Sequence, residues 1–129
     1  MSCDCYFYDL SLNLGIDKIS ETAKVFGLGE KYLSEIFPAS KGIIPNKQWK
    51  KNNFQSEWTK SDTIVASIGQ GFALASPIQL AVMIARICKD GELITPTIIK
   101  NKKQKKPFEK TSLLEKRVYS YVKKGMYNT

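Results

Sequence analysis

Apolar positions Tyr6, Phe7, Leu10 and Leu14 recur at helical spacing behind Asp4, and Gly15 stops the run, so the pattern predicts a helix with one buried stripe. Asp17 then stands as the cap of a second helix, with Ile19, Ala23 and Phe26 on one face, Ile16 as a staple ahead of the cap, and Gly27 as its end. The two helices are expected to pack as a pair. From Leu28 to Lys60 the periodicity is lost among Gly29, Pro38, Gly42, Pro45 and several Asn and Lys residues, apart from a short turn of helix around Asn46 to Lys51. An irregular stretch of that length belongs to a larger scaffold.

Ser76, Pro77, Ile78 and Gln79 read as an N-cap, a proline in the first helical position and a glutamine returning to the cap, so a helix starts there. Its body, Leu80 to Cys88, is apolar all round with Arg86 its sole charge, which predicts burial on every side. Few elements remain in the chain to surround it. Asp90 and Gly91 make a turn, and Glu92 to Lys100 alternates enough for an extended stretch broken by Pro96. After a Lys-rich linker, Ser112 and Glu115 suggest a capping box for a last helix with Leu114, Val118, Tyr121 and Val122 as its apolar stripe.

Composition narrows the chemistry. At 129 residues and 43% hydrophobic, the chain suits one modest domain. It has no histidine, which excludes Ser-His-Asp and Cys-His catalysis, histidine-ligated zinc and a histidine pH switch. Cys3, Cys5 and Cys88 are too few and too unevenly spaced for a disulfide scaffold or a four-cysteine zinc site, and are read as free thiols. No cofactor and no metal are expected. The formal charge of +8 is localised: residues 1 to 99 carry ten bases and ten acids, whereas residues 100 to 129 carry ten bases against Glu109 and Glu115. Such a tail suits nucleic acid or an anionic lipid surface, or is simply a solvated linker and helix face. No apolar run approaches the ~20 residues of a membrane span, and Met1 to Asp9 lacks the pattern of a secretory signal.

Three strings carry a resemblance. Ser2-Cys3-Asp4 followed by Tyr6-Phe7-Tyr8-Asp9-Leu10, then Ser67-Ile68-Gly69-Gln70-Gly71, then Ser76-Pro77-Ile78-Gln79-Leu80-Ala81 are similar to the class B penicillin-binding proteins, most of all their elongation-type branch. Phe26-Gly27-Leu28-Gly29, the Pro45 to Lys50 segment ending in Trp49-Lys50, and Gly125-Met126 keep the family's order. The resemblance runs through nearly the whole chain yet covers only a middle portion of the family's transpeptidase domain.

It implies serine acyl transfer built on three motifs, S-x-x-K, S-x-N or S-x-D, and K-T-G. A serine attacks a D-Ala-D-Ala carbonyl or a β-lactam, a lysine eases removal of its proton, and a second serine relays protons to the leaving group. The resemblance assigns that second serine to Ser2. Asp4 would hold the lysine and the substrate by hydrogen bonds, and Ser67, Gly69, Gln70 and Gly71 would form the scaffold packed beneath the site.

The chain also departs from the pattern. Only Met1 precedes Ser2, so the nucleophile motif is absent. Ser120-Tyr121-Val122-Lys123 spells S-x-x-K at the wrong end, and Lys110-Thr111-Ser112 lacks the glycine of K-T-G and opens a helix; both are rejected. Tyr32-Leu33-Ser34-Glu35-Ile36-Phe37-Pro38 keeps the apolar positions and proline of a family segment without its Thr-Gly start. Read without the family, Ser2 and Asp4 are an N-cap pair and Ser67 to Gly71 a glycine-permitted turn. Gly69 and Gly71 lack the partners of a phosphate loop. Cys3 and Cys5 make no metal site, and Trp49 and Trp58 anchor a long loop more readily than they stack on bases.

The expected architecture is therefore a mainly α fragment of the α/β penicillin-binding protein and β-lactamase-like fold, its central sheet largely missing. Residues 1–99 form a partial helical subdomain, and residues 100–129 a Lys-rich linker and terminal helix of the same partial domain. The expected function is that of a fragment of a peptidoglycan D,D-transpeptidase, inactive alone and reaching stem peptide or β-lactam only with a complementary chain. The family works at the outer face of the cytoplasmic membrane, and this chain carries no signal or anchor of its own. The competing function, of another class, is a small basic helical protein that binds nucleic acid or anionic lipid through its C-terminal tail; nucleic acid is otherwise not an expected partner.

Overall fold

The computed structural model describes residues 3–33, 38–98 and 114–128. These form helices α1 (Asp4–Leu14), α2 (Ile16–Val25), α3 (Lys47–Phe54), α4 (Lys60–Ser67), α5 (Pro77–Cys88) and α6 (Lys116–Tyr127). No strand occurs among the described residues. Ile43 and Leu74 form one isolated antiparallel bridge, each N–H donating to the other's carbonyl at 2.7 and 2.9 Å. Of the expected extended stretch, Glu92 takes a β-bridge position and residues 93–98 belong to no strand.

Gly15, at φ 78°, closes α1 through its N–H to the Ser11 carbonyl and opens α2 without an intervening loop. That abrupt reversal corrects the role expected of Asp17. The helix begins at Ile16, which is 2% exposed, and Asp17 falls in its first turn. There its carboxylate favours the helix N-terminus and accepts from the Lys47 N–H at 3.4 Å, joining α2 to the start of α3.

The predicted stripe of α1 is present but bare. Tyr6 is 62% exposed and Phe7 50%, and Leu10 and Leu14 are also exposed. Ser11 is the residue α1 buries, where the helix packs chiefly on α4 and less on α2. The apolar pattern registered a demand for cover that the described residues do not meet.

Helix α4 was not legible as an apolar period. Thr59 and Asp62 cap it reciprocally, the Asp62 N–H donating to Thr59 Oγ1 at 3.2 Å and the Thr59 N–H to Asp62 Oδ2 at 2.7 Å. The capping box of α5 forms as expected, the Ser76 N–H reaching Gln79 Oε1 at 3.0 Å and the Gln79 N–H reaching Ser76 Oγ at 3.4 Å. Burial on every side does not follow. Helix α5 buries Gln79, Val82 and Arg86, spaced three and four apart along one face, while Leu80, Ala81, Ile84 and Cys88 are exposed.

Helix α6 starts at Lys116 with Glu115 as its cap residue and no side-chain cap bond, so the expected Ser112–Glu115 box does not open it; Ser112 itself lies outside the described residues. Its buried residue is Tyr119, 1% exposed and edge-on to Phe26 with ring centroids 6.3 Å apart, whereas Val118, Tyr121 and Val122 remain exposed. Lys123 Nζ lies 2.7 Å from Asp90 Oδ1 and ties α6 to the turn after α5. Among the described residues the buried hydrophobics are Ile16, Tyr32, Val82 and Tyr119, beside buried Ser11, Ser20, Thr63, Gln79 and Arg86. So small and polar a core depends on hydrogen-bond geometry as much as on apolar area.

Candidate functional site

Asp4 is the first residue of α1 and is exposed. The residue before it, Cys3, occupies the cap position with φ −130° and ψ 86°, and no side chain closes the cap. Asp4 is therefore not the N-cap that a purely structural reading gives it. Its carboxylate stands in the open first turn, where the N-terminal peptide dipoles favour negative charge. Ser2 lies outside the described residues. Cys3, Cys5 and Cys88 are exposed free thiols.

The other site string ends the helix on which α1 packs. Ser67, the last residue of α4, donates from Oγ to the Ile64 carbonyl at 2.7 Å. Behind it the Gly69 N–H returns to the Ala66 carbonyl at 3.0 Å and the Gln70 N–H to the Val65 carbonyl at 3.1 Å. Gly69 and Gly71 have φ of 73° and 72°, the left-handed region that glycine enters without a steric penalty. A Cβ at Gly71 would meet Val65 Cγ1 at 3.0 Å, whereas one at Gly69 would meet nothing within 4 Å. The glycine-permitted turn is thus real, and α1 and α4 carry the two strings on one helix pair.

A charged and aromatic lock holds α4. Lys50 Nζ donates to Asp62 Oδ2 at 2.6 Å, with both side chains less than one-fifth exposed, and lies 5.9 Å from the Trp58 ring centroid and 6.0 Å from that of Phe72. Partial burial pushes the Asp62 carboxyl up, but the hydrogen bonds from Lys50 and Thr59 outweigh it and hold the group below its ordinary range. Trp49, Phe54 and Phe72 pack ring against ring at 5.1 to 5.6 Å, and Trp58 Nε1 donates to Thr63 Oγ1 at 2.8 Å. Both tryptophans are anchors of the long loop, as their setting suggested.

The S-x-x-K look-alike is disposed of by the same kind of geometry. Ser120 is exposed on α6, and Lys123 is bonded to Asp90 instead of to Ser120. Lys110 and Thr111 lie outside the described residues. Among the described residues no three His, Cys, Asp or Glu side chains gather as a metal site, and no helix is long and apolar enough to cross a membrane.

Sequence reasoning missed two buried polar hubs on α5. Gln79, 0% exposed, donates from Nε2 to the carbonyls of Glu30 at 2.6 Å and Lys41 at 3.0 Å while its Oε1 serves the cap. Arg86 donates to the Val25 carbonyl at 2.7 Å and reaches Tyr32. The signal available was a lone arginine in an apolar helix; nothing local named its partners.

The bundle keeps these strings on α1, α4 and α5, with no strand among the described residues. The family model for the penicillin binding protein transpeptidase domain matches residues 1–129, and the chain belongs to that family. It is 39% identical over 108 residues to the peptidoglycan D,D-transpeptidase MrdA of Acinetobacter baumannii, which covers 84% of this chain and 16% of that protein. Among solved structures, it is similar to Pseudomonas aeruginosa PBP2 in complex with WCK 5153, with a TM-score of 0.84 and 33% identity over 95% of this chain and 28% of that one. It also matches PBP2 in the complex with MreC from Helicobacter pylori, with a TM-score of 0.83 and 34% identity over 96% of this chain and 23% of that one. The chain therefore spans about a sixth of the length of the MrdA protein it matches.

Proposed function

We propose that this chain contributes the second motif and its helical support to a peptidoglycan D,D-transpeptidase, and that it is not catalytic without the S-x-x-K and K-T-G elements. The observation that carries the reading is the pairing of α1, which begins at Asp4, with α4, which ends in the Ser67 to Gly71 turn. In this reading Ser2 relays a proton to the leaving group. Asp4 fixes the lysine and the substrate's acyl chain from the open first turn of α1. Ser67, Gly69, Gln70 and Gly71 support the site from beneath. The substrate is a stem peptide or a β-lactam, and the work is done at the outer face of the cytoplasmic membrane. The missing elements come from further residues of a longer polypeptide or from a complementary chain, whose docking surface is the bare apolar faces of α1 and α5.

The test is covalent labelling with a fluorescent penicillin. The 129-residue chain alone stays unlabelled; mixed with a polypeptide carrying both missing motifs, that polypeptide becomes labelled on its serine. Substituting Ser2→Ala and Asp4→Ala should each slow that labelling at least about tenfold. Labelling of this chain alone, or labelling of the mixture indifferent to both substitutions, overturns the reading.

A further inference from the structure

We infer that Cys3 and Cys5 form a redox-sensitive pair, closed to an internal disulfide by a low-molecular-weight disulfide such as oxidised glutathione, and that closure displaces Asp4 between them. Both thiols are free and exposed, and they flank that single residue. Asp4 is helical, so ordinary helix geometry across it places the two Cα atoms about 5.4 Å apart. A disulfide joins Cα atoms about 4.4–6.8 Å apart. Within a regular helix, side chains two residues apart diverge by about 200° around the axis and do not meet. Cys3 escapes that arrangement, because its φ −130° and ψ 86° lie outside the helical region.

The turn that must yield is the least held part of α1. Every residue from Cys3 to Phe7 is exposed, and no side chain caps the helix start. The anchors of the helix lie further on. Ser11 is buried with its Oγ donating to the Tyr8 carbonyl at 2.8 Å, and the Gly15 N–H closes the helix on the Ser11 carbonyl at 2.8 Å. The first turn therefore opens without uncovering buried surface, which is the condition for local unfolding far below the free energy of global unfolding. A bridge across Asp4 then holds that turn out of its helical course, and the strain keeps the disulfide easily reduced.

In the exchange, one cysteine as its thiolate attacks a sulfur of oxidised glutathione and releases the first glutathione thiol. The second cysteine then attacks the protein sulfur of that mixed disulfide and releases the other. The two cysteines are oxidised, one glutathione disulfide is reduced to two thiols, and the two protons leave with the glutathiones. Cys88, exposed at the end of α5, has no cysteine near it in the sequence and stops at the mixed disulfide. A loss of activity on closure rests on the transpeptidase reading, in which Asp4 fixes the lysine and the substrate; closure of the pair does not rest on it.

The experiment takes the 129-residue chain carrying Cys88→Ser, equilibrates it with mixtures of reduced and oxidised glutathione, alkylates it with a maleimide and reads the intact mass. The expected product has lost two hydrogen atoms, takes up no maleimide and returns to the dithiol with a reducing agent, whereas Cys5→Ser gives only a glutathione adduct. In two-dimensional NMR, closure should shift the amide signals of Asp4 to Phe7 and leave those of Ser11 and Gly15 in place. Two thiols that stay open to maleimide, a stable glutathione adduct on the pair, a linked dimer, or closure without a shift of the Asp4 amide would each overturn the inference. In the penicillin assay with the complementary polypeptide, the closed chain should support labelling at least about tenfold more slowly than the same chain reduced. The variant with both Cys3→Ser and Cys5→Ser should be indifferent to the oxidant. Equal support by the open and closed forms overturns the switch, whereas no support by the reduced chain overturns the transpeptidase reading and leaves the glutathione result standing.

Discussion

Arg86 Nη2 lies 3.3 Å from the phenol oxygen of Tyr32, and that phenol donates onward to the Gly27 carbonyl at 3.1 Å. Among the described residues no carboxylate completes the pair. Instead Nη1 donates to the carbonyl of Val25, the last residue of α2, where the unsatisfied end of the helix carries partial negative charge. Burial pushes the Tyr32 phenol up, and Arg86 opposes part of that rise. A helix terminus thus stands in for an acid inside a small core.

Replacing Arg86 with Met keeps the stem and removes the fork. The carbonyls of Val25 and Ile94 and the Tyr32 hydroxyl then lose a donor, and we expect a loss of about 2–4 kcal/mol in urea denaturation. Tyr32→Phe should cost about 1–2 kcal/mol. The double variant should cost clearly less than the sum, because the two groups share one network. Strict additivity would show that they act independently.

Acid should loosen the junction of α3 and α4 through Asp62. A carboxyl held below its ordinary range stabilises the fold at pH values above the unfolded-state value of about 3.9, and that contribution disappears as pH falls through the lower folded value. The thermal midpoint of the natural chain should therefore fall below about pH 4. Asp62→Asn, which keeps a cap oxygen but deprives Lys50 of its counter-charge, should lower stability by about 1–3 kcal/mol at neutral pH and flatten that acid limb. An unchanged acid limb in the variant would assign the pH dependence to other carboxylates.

Two glycines with the same backbone hand separate conformation from space. Gly69 has φ 73° and open surroundings, so Gly69→Ala should cost only the left-handed penalty of about 1–2 kcal/mol. Gly42 adds a collision with the Leu74 carbonyl, and Gly42→Ala should cost about 1 kcal/mol or more beyond that and weaken the Ile43–Leu74 bridge. Equal losses, read from denaturation midpoints, would mean that the bridge yields freely.

The bare stripe of α1 invites a fourth comparison. Phe7→Ser with Leu10→Gln removes exposed apolar surface, so stability should stay within about 0.5 kcal/mol while binding of a hydrophobic dye falls. The same pair should reduce penicillin labelling in the mixture with a complementary chain. A large stability loss instead would place those side chains in the core of the chain in solution.

What could be read from the linear sequence was whatever is encoded locally. Ser76, Pro77 and Gln79 spell a hydrogen-bonded start of helix, and Gly15 and Gly27 mark ends, so α5, α1 and α2 were placed to within a residue or two. Helix α4 escaped because Lys60 to Asp62 breaks any apolar period, although Thr59 and Asp62 held the capping signal. Burial failed for α1 and α5 because apolar pattern reports which side chains need cover, and cover is a property of the assembled neighbours. The second task of Gln79 joins residues 38 and 49 positions away and has no local signature. The strings that carry the family, from Ser2 to Asp4 and from Ser67 to Gly71, were legible because the resemblance is itself linear.

The Gln79 amide that bridges Glu30 and Lys41 has a consequence for how this protein can vary. With both ends held by one side chain and Tyr32 anchored beside Arg86, lengthening the connection next to Lys41 costs mainly the entropy of closing a ring, which rises by only about 0.6 kcal/mol for each doubling of length. The exposed end of that connection, at Pro38 to Ser40, is therefore a natural point of insertion. A peptide tag grafted between Pro38 and Ala39 should leave the rest of the molecule undisturbed, and related chains can lengthen this stretch while Tyr32 and Gln79 stay the same.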